Sequence, residues 1–159
     1  MIEKGKISQE PFIEILKTLE EAESANLVDW NAMNIASVDQ MNQPSSRMVL
    51  LKKISDDGLV FYTNYNSRKG KEIELNPKVA VNFWWRELKK QIRVEGFIEK
   101  ASEEDSDDYF NSRPLKSRVS AIISNQSSKI SSYEDLTNQI DNYLDQNDES
   151  SIKRPDHCG

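Results

Sequence analysis

Three consecutive residues, Ser67, Arg68 and Lys69, have side chains suited to binding an anion. The pattern after Ser67 predicts a short helix that ends near Leu75, because Asn76 precedes a proline and avoids the helical region. Backbone N–H groups at a helix N-terminus attract negative charge. Two cations and a hydroxyl at that position would form a phosphate site. A capped helix with solvated charges fits the same residues, and the local sequence leaves both interpretations open.

A second pair of cationic residues, Arg47 and Lys52, brackets an otherwise apolar stretch that predicts a strand. In a regular strand these two side chains would point to opposite faces, unless a bulge intervenes. They could bind an anionic ligand, or they could be surface residues whose long stems cover apolar neighbours.

Tyr109, Arg113 and Ser117 recur every four residues. This spacing would align them on one face of a continuous helix. Pro114 interrupts that helix, so the three side chains could instead converge on a pocket from two elements. Their types suit a phosphate, which a guanidinium and hydroxyl groups bind well.

The sequence contains few side chains that could catalyse a reaction without a cofactor. His157 is the only histidine and lies near the end of the chain, which disfavours a Ser–His–Asp or Cys–His arrangement. The sequence has no cysteine–histidine spacing typical of a metal site, no Walker loop and no Gly-x-Gly-x-x-Gly turn. If the protein is an enzyme, we therefore expect an organic cofactor to supply its reactivity, and no metal.

Composition narrows the class of protein further. The 159 residues have a net charge of −6 and a mean hydropathy of −0.72, and no apolar run is long enough to span a membrane. The single cysteine, Cys158, excludes an internal disulfide and favours the cytoplasm.

The charges are unevenly distributed along the chain, since residues 47–118 hold 15 basic against 12 acidic residues. This mildly basic centre suits a small anionic ligand, whereas nucleic-acid binding would need a continuous basic face.

The hydrophobic pattern predicts five strands with short connections and helices around them. The predicted strands are 31–38, 47–54, 59–63, 79–85 and 91–98, and the predicted helices are 9–24, 67–75, 102–113, 115–123 and one after Ser132. Asp56-Asp57-Gly58 predicts a hairpin turn. The expected fold is a single domain over 1–159, mainly β with peripheral helices (α+β), closed as a small antiparallel barrel.

Six linked motifs resemble the pyridoxamine (pyridoxine) 5′-phosphate oxidase family. They are Arg47-Met-Val-Leu-Leu-Lys52, Phe61-Tyr-Thr-Asn64, Ser67-Arg-Lys-Gly70, Gln91-Ile-Arg-Val-Glu-Gly96, Tyr109-Phe-Asn-Ser-Arg-Pro114 and Ser124-Asn-Gln-Ser127. The resemblance runs from about residue 12 to residue 130, which is roughly three quarters of the chain.

The resemblance implies an FMN-binding split β-barrel that forms a homodimer with FMN at the interface. It implies that Arg68 and Lys69, next to Ser67, bind the FMN phosphate, and that Gln126 and Ser127 come from the partner subunit. The remaining implied cofactor contacts are Arg47, Met48, Val49, Leu50, Leu51, Lys52, Tyr62, Thr63 and Gln91.

The resemblance also implies a reaction and a substrate site. The expected activity is the FMN-dependent oxidation of pyridoxamine or pyridoxine 5′-phosphate to pyridoxal 5′-phosphate, with dioxygen as acceptor and hydrogen peroxide as product. Lys52, Tyr109, Arg113 and Ser117 would bind the substrate, the last three around its phosphate. No residue is assigned as a catalytic acid or base.

The chain departs from the family pattern at its C-terminal end. Family members continue with a His-Trp-Gly-Gly segment, two strands and an Arg-x-His element, whereas here Cys158 stands at the tryptophan position and Gly159 is the last residue. We therefore expect a domain that lacks the family's C-terminal segment. The alternative function is a truncated, non-catalytic module that binds flavin or pyridoxal phosphate.

Overall fold

The computed structural model describes residues 2–159, and this part of the chain forms five α-helices and seven β-strands. Two compact units are present: one holds the residues as far as Tyr62 together with Glu72–Glu99, and the other holds Thr63–Lys71 and Lys100–Gly159. The helices are α1 Glu10–Ser24, α2 Arg68–Leu75, α3 Glu103–Ser112, α4 Leu115–Ile123 and α5 Tyr133–Gln146. The strands are β1 Glu3–Lys4, β2 Ala32–Val38, β3 Pro44–Leu50, β4 Lys53–Ser55, β5 Gly58–Val60, β6 Lys78–Trp85 and β7 Lys90–Phe97.

The first unit is built on two sheets. One is a four-stranded antiparallel sheet in the order β3-β2-β6-β7, and the other is a three-stranded sheet in the order β1-β4-β5. The predicted hairpin is confirmed, since Ser55 pairs with Gly58 across the turn between β4 and β5. Gly58 has φ +144°, which residues with a side chain rarely adopt.

The predicted single strand over 47–54 is wrong, because the chain changes partners at Leu51. The Leu51 N–H donates to the Asn31 carbonyl at 2.9 Å, while the next residue, Lys52, donates its N–H to the Val60 carbonyl at 2.8 Å. The Asn31 side chain donates to the Leu51 carbonyl at 2.8 Å. The segment therefore leaves the four-stranded sheet at Leu51 and continues in the three-stranded sheet as β4.

The core of the first unit lies under α1 and the inner face of the larger sheet. Leu19 from α1, Met33 and Ile35 from β2, and Phe83 from β6 are each at most 1% exposed. Alternation along β6 places its aromatic residues on two faces, since Phe83 and Trp85 are buried and Trp84 is 59% exposed.

The second unit is mostly helical. Ser102 and Ser132 cap α3 and α5, as their positions predict, by accepting hydrogen bonds from backbone N–H groups at 3.0 Å. α3 and α4 are separate helices with Pro114 between them, and Phe110 and Val119 form their shared core with Ile152. The last residues pair with the start of this unit, where the Thr63 N–H donates to the Gly159 carbonyl at 2.6 Å.

The α+β class is confirmed, but the helices hold more residues than the strands, so the fold is mixed rather than mainly β. Closure of the sheets into a barrel stays a prediction, as does the single-domain organisation. None of the helices in residues 2–159 is long and apolar enough to cross a membrane.

Candidate functional site

The first turn of α2 brings four of the predicted cofactor residues together. The Ser67 side chain accepts a hydrogen bond from the Gly70 N–H at 3.3 Å, which confirms Ser67 as the cap of this helix. The Lys69 side chain is only 6% exposed, and its ammonium donates to the Ser67 hydroxyl at 3.2 Å and to the Gln126 side-chain oxygen at 2.7 Å. The Thr63 hydroxyl donates to the same Gln126 oxygen at 3.2 Å. Arg68, in contrast, has an exposed side chain.

A close backbone contact fixes this turn. A Cβ added to Gly70 would lie 2.1 Å from the Tyr65 carbonyl oxygen, so only glycine fits. The helix can therefore begin directly against the backbone at Tyr65, with its first N–H groups beside Ser67 and Lys69. The hydroxyl, the ammonium and these N–H groups form a set of hydrogen-bond donors that matches the oxygens of a phosphate.

A second polar cluster surrounds Arg47 in the first unit. The Arg47 guanidinium donates to the Ser37 hydroxyl at 2.6 Å, to the Ser45 hydroxyl, and to the Glu72 carboxylate at 3.0 Å. Ser37 lies on β2, Arg47 and Ser45 lie on β3, and Glu72 lies on α2. The Arg47 side chain is 23% exposed and the Glu72 side chain 5% exposed. Arg47 is therefore neither a solvated surface residue nor free to rotate.

The other predicted cofactor residues from 47 to 52 fall on different faces of the chain. Met48 and Leu50 are exposed on the outer face of β3, whereas Val49 is half-buried on the face that also carries Arg47. Leu51 is fully buried at the break between the two sheets, and Lys52 follows it with a half-buried side chain. Because the strand is interrupted at Leu51, the alternation of side chains along a regular strand does not apply between Arg47 and Lys52. The expectation that they point to opposite faces therefore does not follow.

The remaining predicted cofactor residues are Tyr62, Gln91 and Ser127. Tyr62 is half-buried at the end of the first unit. Gln91 lies on β7, where its side-chain amide donates to Asn82 on β6 at 2.8 Å. Ser127 lies in the exposed turn after α4 and has φ +70°, a left-handed conformation.

Of the predicted substrate residues in the second unit, the structure brings Tyr109 and Arg113 together. The guanidinium carbon of Arg113 lies 6.0 Å from the centre of the Tyr109 ring. Burial raises the pKa of the Tyr109 hydroxyl, and the positive charge of Arg113 opposes this shift, so the phenol stays protonated at neutral pH. Ser117 lies in the first turn of α4, on the other side of Pro114, with its N–H bonded to the Pro114 carbonyl at 2.8 Å. The predicted break at Pro114 is confirmed, since the three residues belong to two helices and the residue that ends the first, whereas their convergence on a pocket stays a prediction.

Three residues of the cluster around Arg47 were not predicted from the sequence: Ser37, Ser45 and Glu72. All three bind Arg47, yet they come from three elements, and no local spacing connects them. Ser45 lies two residues before the first motif. Glu72 resembles an ordinary charged residue of a short helix.

FMN consists of a flavin ring system and a phosphate, and in each unit, taken by itself, the chemistry of the predicted cofactor residues fits one part of such a molecule. The α2 turn has the donors that a phosphate needs, and the Arg47 and Gln91 side chains are the kind of donors that flavin carbonyl oxygens and ring nitrogens accept from. The donors at the α2 turn include two neighbouring cations, Arg68 and Lys69, at a helix N-terminus. This arrangement suits a dianion better than a neutral ligand.

Comparison with known proteins places the chain in a family. The sequence model of the family described as pyridoxamine 5′-phosphate oxidase matches residues 19–142. A pyridoxine/pyridoxamine 5′-phosphate oxidase from Nostoc sp. is 47% identical over 154 residues, covering 97% of this chain and 72% of the relative.

Two solved structures have the same fold. PhzG from Burkholderia lata 383, determined in complex with tetrahydrophenazine-1-carboxylic acid, aligns with a TM-score of 0.86 at 24% identity, over 95% of this chain and 74% of that one. A pyridoxamine 5′-phosphate oxidase-related, FMN-binding protein from Nostoc punctiforme aligns with a TM-score of 0.70 at 17% identity, over 96% and 79%. The likeness to these two structures shows the fold of this chain. The chain belongs to the pyridoxamine 5′-phosphate oxidase family.

Proposed function

We propose that this chain binds FMN and oxidises pyridoxamine or pyridoxine 5′-phosphate to pyridoxal 5′-phosphate. In the balanced reactions, the amine substrate, dioxygen and water give pyridoxal 5′-phosphate, ammonia and hydrogen peroxide, and the alcohol substrate and dioxygen give pyridoxal 5′-phosphate and hydrogen peroxide. The observation that carries this proposal is the 47% identity, over 97% of the chain, to a relative named for this activity.

FMN, when bound, would accept two electrons from the substrate and deliver them to dioxygen. The protein's own task is then to bind and orient. We assign the FMN phosphate to Ser67, Arg68 and Lys69, because their donors lie at a helix N-terminus and the Lys69 ammonium is held by two hydrogen bonds. The ring system is assigned to the remaining cofactor residues: Arg47, Met48, Val49, Leu50, Leu51, Lys52, Tyr62, Thr63, Gln91, Gln126 and Ser127.

The substrate phosphate is assigned to Tyr109, Arg113 and Ser117, and the rest of the substrate to Lys52. A guanidinium binds two phosphate oxygens in parallel, and hydroxyl groups can bind the others. The neutral Tyr109 phenol supports this assignment, since only the protonated form donates a hydrogen bond to an anion. This way of binding the substrate phosphate needs no histidine. No residue is assigned as a catalytic acid or base.

We further propose that the protein is a homodimer. The outer face of the larger sheet exposes three large apolar side chains: Met48 at 60%, Leu50 at 42% and Trp84 at 59%. Exposed apolar groups on one sheet face are typical of a protein interface. Gln126 and Lys69 of one chain already contact each other, and the supply of Gln126 and Ser127 by a partner subunit stays a prediction.

The proposal is tested by turnover. The purified protein is loaded with FMN and supplied with pyridoxamine 5′-phosphate in air, and pyridoxal 5′-phosphate and hydrogen peroxide are measured. The expected result is equal molar amounts of both. Pyridoxamine without its phosphate is the control and should react much more slowly. A protein that binds FMN but forms neither product would be the non-catalytic module instead.

A further inference from the structure

A closed hydrogen-bond network joins Glu72 to Arg47 through two serine hydroxyls. The Glu72 Oε2 atom accepts from the Ser37 hydroxyl at 2.5 Å, from the Ser45 hydroxyl at 2.7 Å, and from the Arg47 guanidinium at 3.0 Å. Arg47 in turn donates to both hydroxyls. Ser37 and Ser45 are a directly opposed pair on β2 and β3, which places them side by side under Glu72.

The two serine hydroxyls bridge Arg47 and Glu72 in this network. Each serine has one proton, which it donates to Glu72, and its lone pairs accept from Arg47. Ser37 is 2% exposed and the Glu72 side chain 5%, so water does not compete strongly with these bonds. A buried ion pair whose remaining groups are also bonded has one preferred geometry. The network therefore fixes the direction of the Arg47 guanidinium, which is 23% exposed.

We propose that Glu72 is a positioning residue for the cofactor: it orients Arg47 for FMN without itself contacting FMN. This inference rests on the proposed function, in which Arg47 is a flavin contact. An arginine on a strand can adopt many side-chain conformations, and fixing one of them before binding lowers the entropy cost of the contact. Ser37 and Ser45 complete the same support.

A purely electrostatic role for Glu72 predicts the opposite result. FMN is an anion, so a carboxylate nearby repels it, and neutralising that carboxylate would tighten binding. The orienting role predicts weaker binding on neutralisation, because Arg47 loses its ionic partner and turns toward water. The sign of the change in FMN affinity therefore separates the two roles.

The experiment measures FMN dissociation constants by the quenching of flavin fluorescence, together with urea unfolding of the FMN-free protein. The variants are Glu72→Gln, Arg47→Lys and the double variant. Glu74→Gln is the matched control, since Glu74 is exposed on the same helix and loses the same charge. We expect Glu72→Gln to raise the FMN dissociation constant about tenfold. This value is the lower end of the affinity loss observed when a residue that orients a metal ligand is replaced, which is a comparable role. Glu74→Gln should change it by less than about twofold.

The double variant tests whether Glu72 acts through Arg47. If it does, Arg47→Lys already loses the oriented guanidinium, and adding Glu72→Gln should raise the dissociation constant by less than about twofold more. Losses that multiply would assign Glu72 a general structural role and overturn the proposal. So would tighter or unchanged FMN binding by Glu72→Gln. Failure of the wild type to bind FMN would instead overturn the proposed function, and this inference with it.

Discussion

The Lys69 ammonium on α2 and the Gln126 side-chain oxygen, 57 positions later in the chain, are joined by a hydrogen bond of 2.7 Å. The bond ties the first turn of a short helix to the turn that follows α4. Because Thr63 donates to the same Gln126 oxygen, three separate segments meet at one polar atom. Of the three residues, Lys69 is the one that we assign to the cofactor phosphate, and Thr63 and Gln126 are assigned to the flavin ring system.

The first prediction concerns that phosphate. Replacing Arg68 and Lys69 together by alanine should weaken FMN binding by about 2–4 kcal/mol, since two charge-assisted hydrogen bonds are lost. Riboflavin, which lacks the phosphate, should bind almost as before. Lys71→Ala is the control, because Lys71 is an exposed cation on the same helix. Equal losses for FMN and riboflavin would reject the phosphate assignment.

The second prediction concerns the close approach at Gly70. Alanine normally stabilises a helix relative to glycine by about 1 kcal/mol, but here its Cβ would lie 2.1 Å from the Tyr65 carbonyl oxygen. The overlap should win, so Gly70→Ala should lower the free energy of unfolding by about 1–3 kcal/mol in urea titrations. Gly96→Ala is the control, since nothing lies within 4 Å of its added Cβ. An unchanged stability for Gly70→Ala would show that the turn has room to move.

The third prediction separates substrate binding from cofactor binding at Arg113. Arg113→Ala should leave the FMN content unchanged while weakening the binding of pyridoxal 5′-phosphate, and Arg113→Lys should recover only part, because lysine lacks the planar fork. The FMN content of each variant is measured first. Titration of the FMN-loaded protein with pyridoxal 5′-phosphate then measures the affinity for that ligand. If Arg113 only ends α3, the alanine variant would lose stability and keep its affinity.

The fourth prediction concerns the pH dependence of stability and the part of Asp56 in it. The Asp56 carboxylate accepts hydrogen bonds from the Ser8 hydroxyl and from the N–H groups of Ser8 and Gln9, just before α1. These bonds lower the pKa of Asp56 below its ordinary value. Its contribution to stability is therefore complete above the unfolded-state pKa of about 4 and is lost as the pH falls through the lower folded-state pKa. Wild type should be more stable than Asp56→Asn at neutral pH, and the difference should shrink in acid. Asp57→Asn is the control; a difference that does not change with pH would contradict the assignment.

The fifth prediction concerns the dimer. Trp84→Glu should produce monomers in light-scattering measurements, because burying an unpaired carboxylate in an apolar interface costs several kcal/mol. Val28→Glu is the control, since Val28 is 91% exposed and lies outside the sheets. A Trp84→Glu protein that keeps the mass of the wild type would place the interface elsewhere.

Local signals were sufficient to predict most of the elements. The amphipathic pattern placed α1 within one residue of its observed start, the bounds of α4 match those observed, and Ser102 and Ser132 cap the helices expected of them. Such features depend on neighbours within one or two turns, which the sequence displays directly.

What the sequence could not show depends on distant partners. β1 has two residues and pairs in parallel with β4, and so short a strand has no visible period. The break at Leu51 arises because hydrogen-bond partners switch from Asn31 to Val60. In the same way, Glu72 gains its place beside Arg47 only when α2 packs against β2 and β3.

The central claim, that this chain uses bound FMN to oxidise a vitamin B6 phosphate, is tested most directly without oxygen. FMN-loaded protein is mixed anaerobically with pyridoxamine 5′-phosphate while the flavin absorption is recorded. We predict that the yellow colour is lost, that one pyridoxal 5′-phosphate forms per flavin, and that air restores the colour. Protein that holds FMN and binds the substrate, yet keeps its colour and forms no pyridoxal 5′-phosphate, would contradict the claim.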